Sequence, residues 1–243
     1  MRYGECTYLE IKDCVTRGAL AVVPTGCTEQ QGPHLPVDFD TWFAEAVAAA
    51  ASERAQREYG VLSLVLPALP FGPTPEHRSF GSGYIDVPLR QHEAIVGSVL
   101  VSLAEQGFTR IVVWRGCGQH DLSGTVRRFN TGRAGCVAVL PELPYHDVWS
   151  RVADSAVPGG HADSFSTSIA LFLRPETVRT ERIPPPQTGE VDWDDPALDF
   201  RRYSETGVIG DPTHAGAALG EKLWNAVVAD VAATLRAVAA GTF

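Results

Sequence analysis

Short apolar runs alternate with longer amphipathic stretches through the first half of the chain: ALAVVPTG, TWFAEAVAAAASERAQREYG, VLSLVLPALP, LRQHEAIVGSVLVSLAEQG and TRIVVWRG. That order reads β-α-β-α-β, the pattern of a parallel sheet whose strands are joined by helices. Ile111 to Trp114 and Cys136 to Leu140 are apolar at consecutive rather than alternate positions. This is expected of strands covered by helices on both faces. The last apolar stretch, AGAALGEKLWNAVVADVAATLRAVAAG, has the helical period and ends in glycine, a usual stop. With 243 residues, 44% of them hydrophobic and 20% charged, the chain can bury one α/β core, and a single domain over residues 1–243 is expected. There is no internal repeat.

A net charge of −9 and a pI near 5.2 argue against nucleic acid or an anionic membrane as the main partner, because both attract basic patches. A small-molecule substrate is the expected partner. The opening MRYGECTYLEIKDC holds no apolar run that could act as a signal peptide, and no later run reaches the roughly 18 continuous apolar residues of a membrane span. A cytoplasmic protein is expected. Cys6, Cys14, Cys27, Cys117 and Cys136 are odd in number, scattered and without a CxxC pair, which points to reduced thiols.

Three polar clusters carry the chemistry. PTGCTEQQGPHLPVDFDT, residues 24–41, gathers Glu29, His34, Asp38 and Asp40 in a loop stiffened by Pro33 and Pro36. It is either a metal-binding loop or an acidic turn with Asp40 as N-cap of a helix starting near Thr41. WRGCGQHDLSG places Cys117 three residues before His120; if helical there, thiol and imidazole share a face as a metal pair or an activated thiolate. The alternative is a small buried cysteine beside a histidine that lines the next helix. PGGHADSFSTS offers His161 as a general acid or base, with Asp163 and Ser164 starting a helix. The first two clusters lie beyond strand C-terminal ends, where open parallel sheets bind ligands. Residues 182–216, rich in proline, acid and glycine, read as an ordered excursion that covers the site or meets another subunit.

These clusters, together with PTPEHRSFGSGYIDVP and GVIGDPTHAGAALGEKL, resemble the creatininase (creatinine amidohydrolase) family over roughly residues 15 to 240. The first resembles that family's E-x-H-G-x-H-L-P-x-x-x-D block, the second its G-H-G-G-N or G-H-x-E-N turn, the third its H-A-G-E-x-E-T-S block. The resemblance implies a three-layer α/β/α sandwich with a mainly parallel central sheet. It also implies trimers or hexamers and a two-metal centre that hydrolyses an amide or related C–N bond in a small, often cyclic molecule. Glu29 and Asp40 fall on metal-ligand positions, His161 on the proposed proton shuttle, and His34 on the second histidine of the loop.

Departures from the family pattern concentrate at the site. Gln31 and Cys117 replace histidine ligands, Gln119 stands at a glutamate ligand, His120 at an asparagine and Ser166 at a glutamate. One metal position keeps Glu29, Asp40 and Cys117, a set suited to zinc, whereas the other retains Asp40 with two neutral amides and should stay empty. Three readings follow: a hydrolase with one zinc or other divalent metal; a metal-free biosynthetic enzyme using Glu29, Cys117, His120 or His161; or a non-catalytic ligand-binding relative. His34, Gln31, Gln119 and Ser166 are then candidates for substrate contact. Trp114 either presents its indole to a planar ligand or packs at a strand end.

Overall fold

The computed structural model describes residues 1–153 and 160–243. Four strands, β1 (Leu20–Thr25), β2 (Ser63–Val65), β3 (Arg110–Arg115) and β4 (Val137–Val139), form a wholly parallel sheet in the order β2-β1-β3-β4. Register runs from Leu20 against Ser63 on one side of β1 and from Ala21 against Ile111 on the other. The connecting helices are α1 (Tyr8–Thr16), α2 (Phe39–Tyr59), α3 (Leu89–Glu105), α4 (Ser123–Gly132), α5 (Tyr145–Val152), α6 (Ser164–Leu173) and α7 (Ala217–Ala240).

Alternate residues of the central strands feed two separate cores. Leu20, Val22, Val112 and Trp114 pack with residues of α2, α5, α6 and α7. Ala21, Val23, Ile111 and Val113 pack with residues of α1, α3 and α4 on the opposite face. This is the three-layer α/β/α sandwich, and it explains the consecutive apolar residues: each face of the strand has its own hydrophobic partner. The expectation fails at β4. This strand sits at the sheet edge and Val137 is exposed, so its apolar run is covered only in part.

Helix α7 is long and apolar enough to cross a membrane by length and composition. Here Leu223, Val227, Val231, Leu235 and Val238 are buried in the larger core, and α7 packs against α2, α5 and α6. Gly241, at φ 73°, ends it in the left-handed conformation that glycine adopts without Cβ strain. Asp40 is not an N-cap. Helix α2 begins at Phe39, with Asp38 as the flanking residue, so Asp40 lies inside the first turn. The segment after β3 is not helical: Gly116–Asp121 is a bent loop, so any pairing of Cys117 with His120 arises from loop geometry rather than from a helix face.

Candidate active site

A cavity of about 300 Å³ lies beyond the C-terminal ends of β1 and β3. The loop after β1 supplies Glu29 and Gln31, the first turn of α2 supplies Asp40, and the loop after β3 supplies Cys117 and Gln119. The turn before α6 brings His161, and α6 itself brings Ser166. Two backbone features fix this arrangement. A Cβ on Gly116 would lie 2.3 Å from the Asp40 carbonyl oxygen, so only glycine lets the β3 loop press on the start of α2. Ala162, the one non-glycine residue at positive φ (51°) among the described residues, turns the chain between His161 and the α6 cap. Asp163 holds that turn by accepting from the backbone N–H of Gly160 at 2.8 Å and of Phe165 at 3.0 Å.

Glu29 and Asp40 are buried at the cavity floor, beside a thiol. Cys27 Sγ lies 3.0 Å from Glu29 Oε2 and 3.3 Å from Asp40 Oδ2. Gln31 Nε2 donates to Asp40 Oδ2 at 2.7 Å and to Glu29 Oε1 at 3.4 Å. On the other flank of Glu29, His77 Nε2 stands 3.4 Å from Oε2 and His161 Nδ1 3.6 Å from Oε1.

Electrostatics divides these groups. Burial opposes charge on Glu29, but His77 and then His161 outweigh it and hold the carboxyl below its usual range. Burial, followed by the charge of Glu29, pushes Asp40 well up. Burial likewise disfavours the charged form of His77, yet Glu29 and Glu76 lift it to about 9. His161 is driven down to about 4, first by burial and next by His77. His161 Nε2 donates to the Gln30 backbone carbonyl at 2.7 Å. The neutral ring therefore carries its lone pair on Nδ1, the nitrogen nearer Glu29.

Seven of the candidate residues thus come together on the cavity wall: Glu29, Gln31, Asp40, Cys117, Gln119, His161 and Ser166. Three stand behind it. Trp114 faces the α2/α7 core, 1% exposed, with its ring edge-to-face on Tyr145 at 6.2 Å. The side-chain alternation of β3 turns its indole away from the ligand space, and Tyr145 lines the cavity in its place. His34 is fully buried and pairs through Nε2 with Thr167 Oγ1 at 2.8 Å, tying the β1 loop to α6 rather than reaching substrate. His120 is also buried, its Nε2 2.8 Å from the Pro73 carbonyl oxygen.

Other residues of the site lack an obvious signal. Cys27 reads as an isolated core thiol, although in extended chain it projects on the same side as Glu29, two residues on. The group that stands with both carboxylates is Cys27, Glu29 and Asp40; Cys117 groups instead with Cys27 and His120. The expected set of Glu29, Asp40 and Cys117 is not among the groups brought within 4.8 Å of one another in the described residues. His77, within the PTPEHRSFGSGYIDVP segment that shares in the family resemblance, enters from the 3-10 turn Pro75–Phe80 and stands beside Glu29. From the 182–216 excursion, Trp193 and Phe200 line the cavity, and Phe200 packs edge-on against His77 and His161 at 4.8 and 5.1 Å.

The profile of the creatininase family, described as creatinine amidohydrolase, matches residues 4–235. The chain belongs to the creatininase family. It is 32% identical to the mycofactocin precursor peptide peptidase of Mycobacterium tuberculosis, over 86% of this chain and 81% of that one. It is 25% identical to the creatinine amidohydrolase of Pseudomonas putida, covering 96% of this chain and 95% of the relative. A crystal structure of creatinine amidohydrolase superposes with a TM-score of 0.83 at 23% identity, covering 96% and 95% of the two chains. Creatininase-family membership makes this an enzyme of the amidohydrolase type.

Solved creatininases include a zinc–zinc and a manganese form. The donors of this chain fit one divalent ion: Cys27, Glu29 and Asp40 offer three buried ligand atoms within 4.8 Å of one another. They do not fit a second ion on the Gln31 and Gln119 side. Gln31 already turns its N–H toward Asp40, and a neutral amide is a poor substitute for imidazole or carboxylate.

Proposed function

We propose that this enzyme hydrolyses an amide C–N bond in a peptide or a small, cyclic peptide-like molecule, using one divalent metal at the cavity floor. The relatives named above support the bond type, one acting as a peptidase on a precursor peptide and one as a creatinine amidohydrolase. The observation that carries the reading is the neutral His161, its Nδ1 lone pair held at the cavity beside the buried Glu29 by the bond from Nε2 to the Gln30 carbonyl.

Each side chain then has a task. Cys27, Glu29 and Asp40 would hold a divalent ion, which would supply Lewis acidity at the cavity floor. His161 Nδ1 accepts the proton released by the attacking water and returns it to the leaving nitrogen. Protonated His77 fixes the orientation of Glu29, and the aromatic walls, Phe39, Phe43, Tyr145, Trp149 and Phe200, exclude bulk water and suit an apolar acyl or amine portion. Assembly of a few identical subunits and a cytoplasmic location complete the proposal.

Incubation of the purified protein with short peptides and lactams, with and without chelator, tests it. Turnover should disappear on chelation, return with zinc, and fall at least about 100-fold in His161→Ala. A second reading rests on the Gln31 bond to Asp40 and the His77–Glu29 pair, which already balance the floor carboxylates without a cation. It describes metal-free chemistry at the same residues, and chelator-resistant turnover that still needs His161 would favour it.

A further inference from the structure

At and behind the cavity wall, three buried groups converge, two of which, Cys117 and His120, the hydrolytic reading leaves unused. Cys27 Sγ, Cys117 Sγ and a ring nitrogen of His120 all lie within 4.8 Å of one another. Cys27 and His120 are wholly buried, and Cys117 is nearly so, its edge forming part of the cavity lining. That 4.8 Å bound spans the roughly 3.8 Å expected between sulfurs around tetrahedral zinc at a Zn–S length near 2.3 Å.

The histidine gives an independent indication. His120 Nε2 lies 2.8 Å from the Pro73 carbonyl, which accepts its proton, whereas Nδ1 is buried and has no hydrogen-bond partner. A backbone carbonyl that takes one N–H and leaves the other nitrogen's lone pair free is the outer-shell arrangement of metal-ligating histidines. Burying an unpaired imidazole nitrogen otherwise costs free energy. The ring is also given room on purpose of packing: a Cβ on Gly72 would fall 2.4 Å from His120 Cε1.

We propose that Cys27, Cys117 and His120 form a thiolate-rich site for a soft or borderline cation of the zinc class. Two thiolates and an imidazole select zinc or copper(I) over manganese or magnesium, and the Cys117 edge leaves a fourth position toward the cavity. Neither Cys27 nor His120 belongs to the ligand set that the family resemblance implies. Because Cys27 also stands with Glu29 and Asp40, this seat adjoins the carboxylate seat through one sulfur, and a test must separate the two.

Cobalt(II) titration of the metal-free protein does so without any substrate. Wild type should develop a near-ultraviolet thiolate-to-cobalt band with tetrahedral visible absorption. Asp40→Asn should keep both bands, Cys117→Ser should lose about half of the charge-transfer intensity, and His120→Ala should weaken cobalt binding. No thiolate band in wild type, or a band unchanged in Cys117→Ser, overturns the proposal. Alkylation of the unmutated protein guards against misfolded variants. At zinc near 100 Kd, labelling of Cys117 should slow about 100-fold, in Asp40→Asn as in wild type; labelling indifferent to zinc also overturns it. Neither readout depends on hydrolysis, so failure of one account leaves the other standing.

Discussion

Gln31 and a metal ion compete for the same carboxylate oxygen, and this competition has a measurable size. The Gln31 amide donates to Asp40 Oδ2 at 2.7 Å, and both residues are buried. A hydrogen bond to a charged or strongly polar acceptor contributes about 1.5–3 kcal/mol to stability. Gln31→Leu, close in volume, removes the donor without opening a cavity. The metal-free variant should therefore unfold with a free energy lower by about 1–3 kcal/mol at neutral pH, the lower end reflecting the better burial of leucine. Zinc binding to wild type has to displace the amide, whereas in the variant nothing is displaced. Zinc affinity should rise by the same free energy, about 5- to 150-fold. Urea unfolding of the chelated proteins gives the first number, and competition with a chromophoric chelator gives the second. Equal or weaker zinc binding by Gln31→Leu would refute the idea that the amide occupies the cation's place.

Other outcomes follow from the buried histidines and the walls. His34, His92 and His161 are each held down to about 4 mainly by burial, from an ordinary value of 6.5. The unfolded chain then binds more protons, so stability should fall as pH drops from 6.5 toward 4. His77 works the opposite way: raised to about 9, it gives stability that is complete below 6.5 and lost as pH rises to 9. Metal-free urea midpoints that stay flat across both windows would contradict these assignments, and His77→Gln should remove the alkaline slope and also make the acid slope shallower, because His77 helps to depress His161. Asp163→Ala, which strips the α6 cap, should cost about 1–2 kcal/mol by urea unfolding, with Asp163→Asn recovering part of it. Phe200→Ala removes a ring that is 1% exposed and packed on both site histidines, and should lower stability by about 3–5 kcal/mol while raising KM more than it lowers kcat.

The parallel sheet was legible because β1 and β3 are covered twice, and each face leaves its own apolar residue in the sequence. The same run of apolar residues at β4 looks alike but ends at an edge, which no local pattern distinguishes. Strand-end positions told where the first two clusters lie, and the family resemblance, rather than loop composition, implied that Glu29, Asp40, Cys117 and His161 meet in one site. Direction was harder to read. Whether Trp114 points to ligand or core depends on strand parity, and parity is set by which helices cover which face. Cys27 was hidden because a lone cysteine is usually packing, and its two carboxylate neighbours become visible only once the loop doubles back onto α2. His77 lies in a segment that shares the family resemblance, but its role beside Glu29, like the place of Phe200, appears only in the tertiary contacts.

The most direct test of the central claim is mass spectrometry of peptide and lactam substrates incubated with the enzyme in water enriched in oxygen-18. Hydrolysis at His161 predicts products that carry one solvent oxygen in a new carboxylate, formed by wild type and all but absent with His161→Ala. Products formed without solvent oxygen, or formed equally well by His161→Ala, would contradict the account and move this cavity to a different reaction.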